Sequence, residues 1–281
     1  MAGQASSAAD VQPSQRWIPW MLMVPGLVWL TVFFAIPMFS MGKLSLEDGG
    51  FSNYRDAFSD YRELIPRTFG YALAATVICI LLGYPLAYVI AMRGGRRKNL
   101  LLALVVLPFF TTYLIRAISW RILLGDRGPV TRVLHSLHII GQDTSIVGTA
   151  PAVIGALSYN FLPFMVLPIY VSLEKIDRKL LEVGPDLYAS GWRTFRKVTL
   201  PLSLPGLFAG SLLTFIPASG DFINVEFVGS DAQRMIGNVV ANNFVKEQFR
   251  PGLSALSFVL MAIILLGVLL YARLLGTEEL V

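Results

Sequence analysis

Between two long apolar segments the chain reads Lys179-Leu-Leu-Glu182-Val183-Gly184-Pro185-Asp186-Leu187-Tyr188-Ala189-Ser190-Gly191-Trp192-Arg193-Thr194-Phe195-Arg196-Lys197-Val198-Thr-Leu200-Pro201-Leu-Ser-Leu-Pro205-Gly206-Leu207. Asp177 suits an N-cap, Gly184 with Pro185 suits a stop followed by a new first turn, and Gly191 suits a C-terminal close. The spacing predicts two short helices joined by a tight turn, within a loop over 174–200. Leu181, Leu187, Tyr188, Trp192 and Phe195 form one apolar side, with Glu182, Asp186, Arg193, Arg196 and Lys197 on the flanks. On periodicity alone, a docking hairpin and a helix lying on lipid headgroups fit equally well.

The surroundings of this hairpin are those of a membrane protein. Hydrophobic residues make up 55% of the 281 and charged residues 15%, against ~25% in soluble domains, and the mean hydropathy is +0.63. About 20 apolar residues at ~1.5 Å each cross a ~30 Å hydrocarbon layer. Segments of this kind fall at 17–41, 68–92, 100–124, 146–173, 200–217 and 253–274. The expected fold is all-α, with six transmembrane helices. Pro201, Pro205, Pro217 and Gly220 interrupt the fifth segment, which is therefore expected to be broken. Broken helices survive at membrane depth only when packed in protein or lining a cavity, so this span points to a pathway.

Lysine and arginine mark the cytoplasmic loops. Arg93, Arg96, Arg97 and Lys98 follow the second span without an acid, and Lys175, Arg178, Lys179, Arg193, Arg196 and Lys197 follow the fourth. The loops after the first and fifth spans are balanced or slightly acidic. Both termini are thus expected inside, with a polar tail at 1–16, a six-span domain at 17–275 and a short tail at 276–281. The net charge of +5 is this topological signal rather than a nucleic-acid surface. The apolar run from Trp17 is too long for a signal-peptide core and is expected to be retained. Cys79 is the single cysteine, which excludes an internal disulfide. His135 and His138 lie in the loop after the third span, where a short interfacial helix is expected, and fit a solvated surface better than a metal site.

The sequence contains no phosphate loop, His-Glu-x-x-His or Gly-x-Ser-x-Gly motif. No catalytic, metal or cofactor site is expected, and any ATP hydrolysis, with its magnesium, falls to a partner. A membrane enzyme would need ionisable groups facing one another within the spans; Arg116, Arg121, Asp221 and Glu226 are the few available. A secondary transporter would need a coupling-ion site and usually an inverted repeat, and neither is visible. Carboxylates near the membrane are costly and usually functional, which singles out Asp221 and Glu226. Trp120 and Tyr159 offer aromatic faces for a cationic cargo.

Glu182-x-x-x-Asp186-Leu187-x-Ala189-Ser190, then Trp192, Phe195, Val198 and Leu200-Pro201-x-x-x-Pro205-Gly206, closely resembles the cytoplasmic EAA loop of ABC-importer permeases. Val183 and Gly184 replace two alanines of that pattern, and Tyr188 stands where glycine is usual. Leu107-Pro108-Phe109-Phe110, Tyr113-Leu-Ile-Arg116-Ala-Ile-Ser-Trp120 and Tyr159-Asn160-Phe-Leu-Pro163 resemble the spermidine/putrescine-type permeases. Ile216-Pro217-Ala-Ser-Gly-Asp221-Phe and Met235-Ile-Gly237-Asn238 do so as well. The resemblance implies a MetI-like type I importer permease in the inner membrane, carrying a polyamine. Related permeases for iron(III), thiamine, phosphonates or opines share much of the pattern. It further implies a second homologous permease, two ATPase subunits and an extracytoplasmic binding protein as partners. Glu182, Gly184, Asp186, Leu187, Ala189, Ser190, Phe195 and Pro201 would couple to the ATPase. Trp120, Tyr159, Asp221 and Glu226 would line the substrate pathway.

Overall fold

The computed structural model describes residues 18–141, 144–177, 191–245 and 250–274. The expected tails at 1–16 and 276–281 lie outside the described residues, as do Glu182, Gly184, Asp186, Leu187, Ala189 and Ser190 of the hairpin.

With no water to satisfy backbone groups in hydrocarbon, long apolar runs close their hydrogen bonds internally as helices. Every regular element among the described residues is helical. Five helices are long and apolar enough to span: Trp20–Ser45, Leu64–Arg93, Ala150–Glu174, Gly191–Ser219 and Pro251–Leu270. The third of the six expected spans is a pair, Gly95–Phe110 and Tyr113–Ser136, bent by 92°. The short helix expected after it is present at Pro129–Ser136.

The break therefore falls in the third span rather than the fifth. Leu107–Phe110 tightens into a 3₁₀ turn around Pro108, and Thr111 and Thr112 are extended, with ψ of 144° at each. The Thr111 hydroxyl donates to the Pro108 carbonyl at 2.7 Å. The second arm restarts with the Arg116 amide on the Thr112 carbonyl at 3.2 Å. The fifth span runs without interruption from Gly191 to Ser219, so Gly191 does not close a helix. Two of its three prolines lie at a π-turn or at the helix end. Pro201 lies in the first turn after a π-turn at Phe195–Thr199, and Pro217 lies in the last turn.

The fourth span is the centre of the bundle, and the second and fifth pack on either side of it. Close approach is set by small residues. A Cβ on Gly206 would meet the Pro168 carbonyl and the Ser172 hydroxyl at 2.4 Å, and one on Gly210 would meet the Met165 carbonyl at 3.0 Å. Gly83 of the second span faces Met165 in the same way, at 3.1 Å. Two buried clusters result. One holds Ala72, Val153, Leu157, Phe161, Ala218 and Met235, and the other holds Cys79, Tyr84, Ala87, Met165, Ile169 and Leu173. The first span stands apart, packing on the sixth near Gly42, where a Cβ would meet the Phe258 ring at 3.7 Å.

Candidate functional site

The bend in the third span and the turn after the fifth meet in a buried polar network. The chain leaves the fifth span at Gly220 and re-enters a short helix at Ile223–Val228, turning Asp221 inward at 7% exposure. Asp221 accepts the Asn224 backbone N–H at 2.9 Å and the Tyr113 hydroxyl. The Asn224 side-chain amide donates to that same hydroxyl at 2.6 Å, and Asn160 of the fourth span donates to the Asn224 carbonyl oxygen at 2.8 Å. The donors run in one direction, Asn160 to Asn224 to Tyr113 to Asp221. Burial raises the Asp221 carboxyl to about 6, against the hydrogen bonds from Tyr113 and Asn224 that pull it down.

Arg116 lies one turn beyond Tyr113 and is 8% exposed. Its guanidinium sits 4.8 Å from the Phe109 ring centroid and 5.3 Å from that of Tyr113. Arg116 and Asp221 are the two charged side chains buried among the described residues, and neither joins an ion pair there. Arg116 Nε and Nη1 and the Asn160 side-chain oxygen have no hydrogen-bond partner.

Of the four expected pathway residues, Asp221 belongs to this network. Trp120 and Tyr159 meet each other edge to face at 5.5 Å, with Tyr159 exposed. Glu226 is exposed and accepts from Asn242 at 3.2 Å and Asn238 at 3.5 Å. The two acids therefore occupy different environments. Asn160, Tyr113 and Asn224 are not among the site residues expected from the sequence. An asparagine in the middle of an apolar span was the available signal for Asn160.

At the other end of the bundle Phe195 joins the hairpin to the second span. Its ring meets Tyr84 and Tyr88 edge to face at 5.7 and 6.0 Å and stacks on Trp192 at 5.5 Å. Tyr84 also shares a 2.7 Å hydrogen bond with Ser203 of the fifth span. Lys98 and Glu174 pair across the ends of the third and fourth spans. Pro201 is exposed in the first turn of its helix. Among the described residues no three His, Cys, Asp or Glu side chains gather to hold a metal.

A groove of about 380 Å³ between the second, fifth and sixth spans is lined by Leu73, Ile80, Leu207, Phe208 and Phe215. Its hydroxyls, Thr76 and Ser211, are both spent on carbonyls one turn back, at 2.7 Å. It is an apolar surface without polar recognition.

Residues 80–275 match the family model described as the binding-protein-dependent transport system inner membrane component. The chain is 34% identical to the spermidine/putrescine transport system permease protein PotB of Haemophilus influenzae, covering 92% of this chain and 90% of the relative. It is 36% identical to PotB of Escherichia coli K12, covering 87% and 93%. The molybdenum transport system permease protein ModB of Mycobacterium bovis is 31% identical over 70% of this chain and 74% of its own. Among solved structures, a bacterial alginate ABC transporter in complex with a pentasaccharide-bound periplasmic protein aligns with a TM-score of 0.73 at 16% identity, over 92% and 94%. The MetNI methionine ABC transporter aligns with 0.58 at 18% identity, over 75% and 93%. These two likenesses speak to the fold alone.

Proposed function

The chain belongs to the family of binding-protein-dependent transport system inner membrane components, and from that premise we propose that it forms part of the translocation pathway for a polyamine. The observation that carries the cargo class is the buried Asp221 carboxylate on the Tyr113 hydroxyl, with no cation on it. A carboxylate out of water without a counter-ion is costly. An ammonium group from the cargo would supply that counter-ion, and each aromatic face would add about 0.5–2 kcal/mol. The spermidine/putrescine names of the PotB relatives support the same reading.

In this scheme a second homologous permease completes the pathway, an extracytoplasmic binding protein delivers the cargo, and two ATPase subunits hydrolyse ATP with magnesium. This chain binds neither ATP nor a cofactor of its own. Glu182 and Asp186 anchor the coupling hairpin, Leu187, Ala189 and Ser190 fill the ATPase groove, and Gly184 allows the turn. Phe195 and Pro201 carry the movement into the spans. Reversing a two-state resting equilibrium from 1:99 to 99:1 takes about 5.5 kcal/mol of differential binding, which the hairpin must transmit. Both termini lie on the cytoplasmic side.

Uptake of radiolabelled spermidine by vesicles holding the full complex tests the proposal. Asp221→Asn slows uptake while the complex still assembles, and Glu226→Gln, at an exposed acid, slows it less. Unchanged uptake in both variants would remove the charge-compensation reading. One observation favours a second reading, an oxyanion cargo: the unpartnered N–H groups of buried Arg116. Competition by sulfate or molybdate for uptake would support it.

A further inference from the structure

A buried arginine is out of place in a pathway for cations, because it repels what it would have to pass. The guanidinium of Arg116 lies on the faces of Phe109 and Tyr113, at 4.8 and 5.3 Å, and its Nε and Nη1 donate to nothing. Ring faces attract cations, but they do not replace acceptors for buried N–H groups. Across the Tyr113 hydroxyl, Asp221 receives one O–H and one N–H and no cation. An ionised carboxylate accepts at about four positions, so this one has capacity to spare. The side-chain oxygen of Asn160 is a further empty acceptor in the same network. Aromatic faces, a carboxylate and a free carbonyl oxygen together are what an alkylammonium needs, and the rings already hold a cation from the chain itself.

We propose that Phe109, Tyr113, Asn160 and Asp221 form an ammonium subsite, and that Arg116 is a tethered competitor which occupies its aromatic wall at rest and is displaced by the cargo. This rests on the polyamine reading and deepens it. The consequence is a weak site by construction. The arginine fills the rings when no cargo is present, and returns to them to release cargo onward.

The test is equilibrium binding to the full complex in lipid nanodiscs, without the binding protein, using radiolabelled spermidine and, separately, butylammonium. Arg116→Gln binds both probes about tenfold more tightly than the wild type, the scale of one cation–π partner freed. Arg116→Lys keeps a competing cation, though a poorer match to the rings, and gains less than Arg116→Gln. Adding Asp221→Asn to Arg116→Gln abolishes the gain. Equal or weaker binding in Arg116→Gln, a gain in Arg116→Lys as large as that in Arg116→Gln, or a gain that survives Asp221→Asn each overturns the proposal. So does sulfate binding to the wild type that is lost in Arg116→Gln, which would make the arginine an anion ligand. If Arg116→Gln does not assemble, Arg116→Met, which fills the same space between the rings, carries the same expectation. Failure of wild-type vesicles to import spermidine would sink the polyamine reading, while butylammonium still reports on the subsite.

Discussion

The Tyr113 hydroxyl does two things at once: it donates to Asp221 and accepts from Asn224. Removing it in Tyr113→Phe leaves a buried amide hydrogen and a buried carboxylate each short of a partner, at a cost of about 1–3 kcal/mol. The thermal midpoint of the purified complex should fall accordingly, and an unchanged midpoint would mean that the network does not hold the bend to the fifth span. Phe195 is a second single residue, proposed above to carry coupling. Three aromatic neighbours, each worth about 0.5–1.5 kcal/mol beyond burial, tie it to the second span and to Trp192. In Phe195→Ala, vesicles should import several-fold less cargo for each ATP hydrolysed while the subunit still inserts. An unchanged ratio of transport to hydrolysis would remove Phe195 from the coupling route. The sequence marked Phe195 through its place in a motif, but its partners Tyr84 and Tyr88 lie about a hundred residues away, and no local pattern joins them.

At the scale of elements, one glycine each from the fourth and fifth spans separates packing from propensity. Gly206→Ala places a methyl group 2.4 Å from the Pro168 carbonyl and should destabilise the complex by about 1–3 kcal/mol through overpacking. Gly155→Ala, in the second turn of the fourth span, meets nothing within 4 Å and should stabilise by up to about 1 kcal/mol through helix propensity. Thermal unfolding of the two variants side by side checks both signs; equal shifts would contradict the close packing of the fourth and fifth spans. The fifth span shows why proline spacing misled the expectation of a break. Pro201 follows a π-turn that already interrupts the regular ladder, Pro217 sits in the last turn, where little helix remains to be broken, and the neighbouring fourth span covers Gly206 and Gly210. In the third span Pro108 is followed by two β-branched threonines that favour extended backbone, and there the helix does break.

For the molecule as a whole, the topology makes a direct prediction. Cysteines introduced at Ser59 and Thr144, in a chain lacking Cys79, should react with a membrane-impermeant reagent in intact cells, and one at Arg96 should not. Strong labelling at Arg96 would reverse the assignment of sides. The number of spans and the all-helical class were legible in the sequence, because apolar length and the loss of water in hydrocarbon leave the backbone no alternative to helices. The family was legible for a different reason: the residues of the motif that carries the resemblance are contiguous. The bend in the third span, the central place of the fourth, and the meeting of Tyr113, Asn160, Asp221 and Asn224 were not legible. They depend on which faces of distant helices come together, and on small residues permitting close approach, and only the tertiary structure decides that.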